Sequence, residues 1–207
     1  MKKIIAILMV LCLLLAGCAT TQTQTAKTIS PLPDTTMDNL TDAILAISLE
    51  KGDAYVDDTG KLQMDVKIYS YDKYDMVDIS MLEVGDTIVR HSGEVEVASM
   101  EQNDTGMITI NGGLEEGGFY LITDDDGVFY EIGMDDAKNW YEVGTATLRV
   151  SVDMEGIDNA DPDRGEVIFY PGDLLNDAIE NFHFTPHNTT VRAEGGQVVE
   201  MTRRYVP

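Results

Sequence analysis

The residues of this chain that are best suited to chemistry are three aspartates in one acidic loop, Asp158, Asp161 and Asp163. Ca²⁺ accepts about six to eight oxygen ligands in a flexible geometry, so carboxylates this close together can converge on a cation. Their spacing follows no regular calcium motif, and the adjacent Arg164 would compete for the same carboxylates. The Asp, Pro and Gly content of the loop is equally typical of a plain turn. We take the loop as a candidate cation site, with the turn as the alternative.

A second acidic motif, Asp124-Asp125-Asp126-Gly127, also suggests calcium at first sight. An EF-type loop needs oxygen ligands at positions 1, 3 and 5, glycine at position 6 and glutamate at position 12. Counted in this way, Ile122 stands at position 1 and Gly133 at position 12, so the motif fails at both ends. A hairpin turn between two apolar strands explains it more simply.

The histidines offer a weaker case for a metal. His183 and His187 have the spacing with which a helix presents two zinc ligands, but Pro186 between them disfavours a helix. The glutamate of a His-Glu-x-x-His motif is also missing. We expect His183 to lie at a helix end instead, where an imidazolium suits the C-terminal end of the helix dipole.

Trp140 and Tyr141 form a candidate ligand patch, since exposed aromatic side chains mark recognition surfaces. The alternative is that they fill the core. Sugar hydrolysis would need two carboxylates across a cleft, and with 37 acidic residues some pair meets that distance by chance. The chain has no Gly-x-Ser-x-Gly elbow, phosphate loop or dinucleotide fingerprint. We therefore favour a binding module, with a carboxylate- or calcium-dependent hydrolase as the alternative.

The elements that must position these residues are mostly short strands. Apolar residues alternate with period two, and turns rich in Gly, Asp and Asn separate the runs at intervals of about 8–12 residues. This pattern is typical of a sandwich or a small barrel of antiparallel hairpins. The run 43–50 also fits a short helix, and we favour the strand. We predict strands at 43–50, 61–69, 87–90, 94–100, 107–110, 119–123, 128–132, 145–152, 166–170, 189–194 and 198–206.

One helix is expected to interrupt the strands, over 173–182. Asp173 is a good N-cap, and it follows Pro171 and Gly172. Apolar residues then recur at helical spacing, at Leu174, Leu175, Ala178, Ile179 and Phe182. The predicted fold class is therefore mainly β with one α-helix in the C-terminal half.

The charge of the chain limits its partners. It has 37 acidic and 14 basic residues, a formal net charge of −23. A field of this sign repels phosphate backbones, so we expect no nucleic-acid partner. Between Arg90 and Lys138 there is no Lys or Arg, and there are twelve acidic residues. This stretch is interpreted as a solvated surface, with a face for calcium or a basic protein as the alternative.

The N-terminus has the order of a secretory signal. Lys2 and Lys3 precede an apolar run over 4–16, which is too short to cross a bilayer as a helix. The run closes with Leu15-Ala16-Gly17-Cys18, which resembles the lipobox of bacterial lipoproteins. The resemblance implies that the chain is cut before Cys18 and that Cys18 is acylated, with palmitate among its lipids. Because the only other cysteine is Cys12, the remaining domain would have no thiol chemistry and no disulfide.

The sequence thus predicts three regions. Residues 1–17 are a signal peptide, residues 18–36 are the acylated Cys18 and a disordered Thr-rich tether, and residues 37–207 are a single acidic, mainly β domain. We expect the protein on the extracytoplasmic face of the cell membrane, held by lipid. Its partner would be a cationic protein, a glycan or calcium, with no other cofactor.

Overall fold

The structure is a computed structural model that describes residues 25–206 except Asp125, 134–136, Asp177 and Glu180. These residues form fifteen strands and one α-helix, α1 (Met76–Ser80), with short 3-10 helices at Leu114–Glu116 and Pro171–Leu174. The mainly β prediction is confirmed. The strands are β1 (Thr28–Ile29), β2 (Ala43–Ser48), β3 (Ala54–Val56), β4 (Leu62–Ser70), β5 (Lys73–Tyr74), β6 (Thr87–Arg90), β7 (Gly93–Glu96), β8 (Met100–Gln102), β9 (Ile108–Ile110), β10 (Phe119–Thr123), β11 (Phe129–Ile132), β12 (Tyr141–Asn159), β13 (Val167–Phe169), β14 (Thr189–Glu194) and β15 (Gln197–Arg204).

Five strands close into a ring. β2 pairs with β4, β4 with β12, β15 with β14 and β14 with β2, all in antiparallel fashion. The ring closes because β12 also pairs with β15, in parallel. β3 extends the sheet beside β4, and β13 extends it beside β12. The chain therefore builds a small barrel.

Strand β12 can serve two partners because it is 19 residues long. Its first part pairs with β4 as far as Arg149, and from Arg149 onward it pairs with β15. The second register shifts between Val150 and Glu155. Val152 and Asp153, within that shift, are both exposed and interrupt the alternation, so the sequence pattern predicted a shorter strand.

The connectivity of the ring identifies its fold. Taken in chain order, the ring strands β2, β4, β12, β14 and β15 lie in the spatial order 1-2-3-5-4, and strands 3 and 5 are parallel. This is the strand arrangement of an OB-fold, a five-stranded Greek-key barrel.

The barrel holds the first of two hydrophobic clusters, and one stretch of chain closes its end. The connection from β13 to β14 contributes Leu174, Ile179 and Phe184, which are buried with residues such as Met64, Met154 and Met201. Phe184 also bridges back to Leu49, just after β2. The barrel end is therefore sealed by irregular chain.

The helix predicted over 173–182 is absent as an α-helix from the described residues of that segment. The chain makes one 3-10 turn, Pro171–Leu174, in which Asp173 accepts a hydrogen bond from the backbone N of Tyr170 at 2.7 Å. Asn181 has φ +49°, a left-handed conformation that does not continue a helix. The helical spacing reflects the burial of Leu174 and Ile179 against the barrel.

Between β4 and β12 the chain leaves the barrel and builds a second β module. β5, β11, β10, β9 and β8 form one sheet, and β1, β6 and β7 form another. Their buried side chains make a separate hydrophobic cluster, whose members include Tyr74, Ile88, Ile110, Phe119 and Leu121. The region 37–207, which the sequence analysis predicts to be a single domain, thus contains two hydrophobic cores, one in the barrel and one in this inserted module.

The N-terminal segment joins the inserted module earlier than the sequence suggests. β1 pairs in parallel with β6, and Ile29 is buried in the second core. The backbone N of Leu32 donates to the carbonyl of Lys73 at 2.6 Å. The predicted tether is therefore ordered from Lys27 onward. A two-residue strand with a single buried apolar residue has no periodicity to reveal it.

Gly118, just before β10, is packed against the backbone of β9. A Cβ atom on this residue would lie 1.8 Å from the carbonyl oxygen of Ile110. We expect Gly118→Ala to lower the unfolding free energy by about 1–3 kcal/mol or more, because backbone must move to admit the methyl group. Gly172→Ala, where nothing lies within 4 Å of the new atom, should change it by less than about 0.5 kcal/mol. Urea unfolding measures both, and equal stabilities would contradict the close packing of β10 on β9.

Candidate functional site

The predicted lipidation site, Cys18, lies outside the described residues, as does the signal 1–17. In the part of the chain that the structure describes, no helix is both long enough and apolar enough to cross a membrane. Acylation of Cys18 therefore stays a prediction from the sequence.

Asp158, the first residue of the candidate cation site, is held by an arginine. Arg203 is 3% exposed, and its Nε donates to Asp158 Oδ1 at 2.9 Å while its Nη2 donates to Oδ2. The backbone N of Ala160 also donates to Oδ1, at 3.0 Å. Burial raises the pKa of Asp158, but these hydrogen bonds outweigh it and hold the pKa below its usual value. Asp158 is thus one half of a bidentate ion pair.

Asp161 and Asp163 lie in the turn that follows Asp158. Both are exposed, and Asp161 Oδ1 accepts a hydrogen bond from the backbone N of Asp163 at 2.9 Å, as in an ordinary turn. Among the described residues, no three His, Cys, Asp or Glu side chains are placed to hold a metal. The turn alternative therefore fits the loop better. Arg203 is the partner that the sequence did not predict, and the charge of Arg164, the expected competitor, also lowers the pKa of Asp158.

The other calcium motif also forms a turn. Asp124 Oδ1 accepts hydrogen bonds from the backbone N of Asp126 at 3.0 Å and of Val128 at 3.2 Å. Asp125 lies outside the described residues. The turn connects β10 to β11, as the hairpin interpretation predicted.

His183 and His187 line a cleft of about 450 Å³ beside the Arg203–Asp158 pair. They are not on a helix, because Phe184 between them forms an antiparallel β-bridge with Leu49 and a turn over 186–188 follows. The helix end expected at His183 is therefore absent. The lining mixes both signs of charge, since it includes Arg164 and Asp161.

Trp140 lies where the chain returns from the inserted module to the barrel, and it is partly buried. Its ring meets Tyr71 edge-on with centroids 5.0 Å apart, and Tyr71 meets Tyr130 at 5.5 Å. Lys138 Nζ lies 4.0 Å from the centroid of Tyr71 and donates to its hydroxyl at 2.8 Å. The chain's own lysine thus occupies this aromatic cluster through cation–π contacts. The cluster holds the junction together.

Tyr141 secures the same junction from the other side. Its ring stacks on His91, with centroids 3.9 Å apart and planes 4° from parallel. The backbone N of His91 donates to Asp72 Oδ2 at 2.6 Å. Burial, together with the charges of Asp72 and Asp34, raises the pKa of Tyr141 to about 12. These contacts place Trp140 and Tyr141 at a structural joint, which favours the core-filling alternative over a ligand patch.

A buried ion pair links the two sheets of the inserted module to this joint. Arg90 Nε donates to Glu131 Oε2 at 2.7 Å and Nη2 donates to Oε1, with side chains 14% and 5% exposed. Asn139 Nδ2 donates to the same Glu131 Oε1 at 2.8 Å, and the guanidinium lies 4.3 Å from the ring centroid of Phe119. The residues in contact come from β6, β11, β10 and the chain that returns to the barrel, so no local sequence motif predicts this ion pair.

A groove of about 570 Å³ crosses the outer face of β2, β4 and β12, and we call it the barrel groove. Thr145 lies opposite Lys67, and Thr147 lies opposite Asp65. All four side chains are exposed, and the intervening Val66 is buried in the barrel. Ser48, at the end of β2, and two acidic residues that follow it complete the polar lining: Glu50 and Asp53.

The chemistry of the barrel groove is that of hydroxyl and carboxylate groups. Asp65 Oδ1 accepts from the Thr147 hydroxyl at 2.6 Å, and Asp53 Oδ2 accepts from the backbone N of Glu50 at 3.2 Å. Three carboxylates face one ammonium group, that of Lys67. Lys67 makes an exposed pair with Glu142 at 3.6 Å, a contact worth about 0–1 kcal/mol. The lining is therefore negative and rich in acceptors.

Sequence reasoning missed this groove although it predicted both strands that carry it. The alternation in β4 and β12 identifies Asp65, Lys67, Thr145 and Thr147 as outward-facing positions. It does not say that β4 and β12 are neighbours, because the whole inserted module separates them in sequence. Only the ring closure brings Asp65 next to Thr147.

The connectivity and the barrel groove define the class of this protein, an OB-type barrel that carries an inserted β module. Comparison with known proteins adds no relative, since no protein family, no curated protein and no solved structure matches the chain.

The Arg203–Asp158 pair determines a response to acid. Because the pKa of Asp158 in the folded state lies below the usual value of 3.8, the ionised pair stabilises the fold above that pH. This stabilisation is lost as the pH falls through the lowered pKa. We expect the free energy of unfolding of Asp158→Asn to fall less between neutral and acid pH than that of the wild type. At neutral pH it should cost about 3 kcal/mol or more, since the buried Arg203 loses its bidentate carboxylate partner.

Urea unfolding between about pH 7 and pH 2.5 measures this effect. The matched control is Asp153→Asn, an exposed aspartate on the same strand, which should follow the wild type at every pH. An acid-dependent loss that Asp158→Asn leaves unchanged would mean that another carboxylate causes it.

Proposed function

We propose that this chain is a lipid-anchored, non-catalytic binding protein of the bacterial cell envelope, and that its barrel groove binds a glycan of neutral or amino sugars. One observation carries the proposal. The groove lies across strands 2 and 3 of an OB-type ring and beside the connection that leaves strand 1. This is the face with which OB-folds bind oligosaccharides and oligonucleotides.

The groups along the barrel groove suit a sugar. Hydroxyl side chains both donate and accept hydrogen bonds, and ionised carboxylates accept several. Ser48, Thr145 and Thr147 supply the first kind of group, and the three acidic residues of the groove supply the second. The hydroxyl of Tyr69 lies 3.2 Å from Ser48 Oγ, which places an aromatic residue at the edge of the groove.

The negative charge of the barrel groove and of the whole chain limits which glycans can bind. The groove has more carboxylates than ammonium groups, and the chain as a whole has a formal net charge of −23. Nucleic acids, uronic acids and phosphorylated polymers would be repelled. Protonated amino groups on a sugar would be attracted. A glycan that contains free amino sugars is therefore the favoured ligand.

The anchor has its own test in the full chain. We expect a bacterial host fed with labelled palmitate to incorporate label into the wild-type chain and to retain it in the membrane fraction, because two or more acyl chains anchor stably. Cys18→Ser should remain unlabelled. A wild-type chain without label, or label that persists in Cys18→Ser, would contradict acylation at this residue.

The ligand is tested with sugar oligomers of one length and different charge. We expect the wild-type chain to bind glucosamine oligomers more tightly than their N-acetylated forms, and not to bind galacturonate oligomers. Asp65→Asn combined with Thr147→Val should abolish binding of the glucosamine oligomer without unfolding the barrel. Titration calorimetry measures the affinities, and thermal melting checks the fold.

The matched control is again Asp153→Asn, which removes one exposed carboxylate of β12 outside the groove lining. It should bind glucosamine oligomers as the wild type does. Binding that all variants share would place the ligand elsewhere, and a preference for the galacturonate oligomer would contradict the charge argument.

A further inference from the structure

Four large apolar side chains are exposed within nine residues of the inserted module. Met76 is 48% exposed, Val77 59%, Met81 48% and Val84 65%. They lie on α1 and the chain after it, where only Ile79 and Leu82 are buried. We call these four residues the α1 patch. Clustered exposed apolar residues of this kind mark interaction surfaces.

The chain that leads to Cys18 departs from the module beside the α1 patch. Lys27 Nζ donates to the carbonyl of Met81 at 3.5 Å. The backbone N of Lys27 donates to Asp86 Oδ1 at 2.7 Å, and Asp86 Oδ2 accepts from the backbone N of Glu83 at 2.9 Å. One carboxylate thus fixes both Lys27 and the turn that carries Val84.

The remaining length of chain sets how far the patch can lie from a lipid on Cys18. Nine residue steps separate Cys18 from Lys27. They span about 30 Å when fully extended and about 15–18 Å as a flexible coil. A bilayer that holds the acyl chains is therefore close to Lys27, and so to Met81.

We propose that the α1 patch docks on the surface of the bilayer in which the acylated Cys18 is inserted, so that the inserted module is the part of the protein that contacts lipid. The proposal rests on the acylation proposed above. Removing four apolar side chains from water would add to the membrane affinity that the acyl chains provide. The short segment between Cys18 and the α1 patch favours the contact, because it raises the effective concentration of the patch at the membrane.

The charges around the α1 patch set its lipid preference. Asp75, Asp78 and Glu83 lie within or next to it, and Lys27 is the basic residue that contacts it. Anionic headgroups would repel this surface. We therefore expect closer docking on phosphatidylcholine than on a mixture with phosphatidylglycerol.

The test uses the full, processed chain in vesicles of phosphatidylcholine. Single cysteines are introduced as V77C or M81C and labelled with an environment-sensitive fluorophore, and the mature chain offers no competing thiol once Cys18 is acylated. I44C and V152C are matched controls, since Ile44 is 74% and Val152 86% exposed on the barrel. Spin-labelled lipids quench a fluorophore only where it touches the bilayer. Thermal melting and the mass of the N-terminal peptide confirm that each variant is folded and acylated.

We expect a blue shift and quenching at positions 77 and 81 and neither at 44 and 152, with weaker quenching when phosphatidylglycerol is added. Acylated, vesicle-bound protein in which all four positions behave alike would overturn the docking and leave the anchor intact. Protein without an acyl group would overturn both proposals. Stronger quenching at 44 or 152 would assign the lipid contact to the barrel.

Discussion

Strand β12 is the constraint on which the rest of the structure depends. Its first half is held by β4 and its second half by β15, so one continuous strand completes the ring. Without it the barrel core would lie under an open sheet, and β4 would keep only β2 and β3 as neighbours. The barrel groove exists because β12 places Thr145 and Thr147 beside Lys67 and Asp65. The inserted module depends on the same strand, since the chain returns from the module directly into β12.

The chain uses its few basic residues selectively. Arg203 is buried against Asp158 at the barrel end, and Arg90 is buried against Glu131 in the module. Lys138 lies among the aromatic rings of the junction, and Arg192 pairs with Glu194 and Glu200 on the hairpin of β14 and β15. A strongly acidic chain repels itself. Cations placed where elements meet provide attraction at the contacts that hold the fold together, and most of the remaining acidic residues are exposed.

The local elements were largely predictable, and the long-range contacts were not. Alternation located most of the strands that it predicted within a few residues, because each has one face on a core. It predicted β12 too short and missed β1, β3, β5 and β8. It missed α1, whose five residues are too few to show a period. It also predicted a helix over 173–182, because the spacing of apolar residues such as Leu174 and Ile179, which are buried in irregular chain, resembles that of a helix. The role of Asp158 could not be predicted from the sequence, because its partner Arg203 is 45 residues away. The barrel groove and the two cores depend on which strands are neighbours, and a single chain carries no local signal for that.

Strand β1 determines how a force on the N-terminal side of the chain is transmitted to the rest of the protein. Within the described residues, this force acts first on Lys27, which is held by the backbone N of Thr87 and the carboxylate of Asp86. A pull directed along β1 shears its parallel pairing with β6, so these bonds resist together. Force then reaches the barrel through the connection 30–42 between β1 and β2 and through the crossings at Ser70 and Tyr141, which lie side by side. The module therefore acts as a mechanical buffer, and movement at the N-terminus strains it before it distorts the barrel.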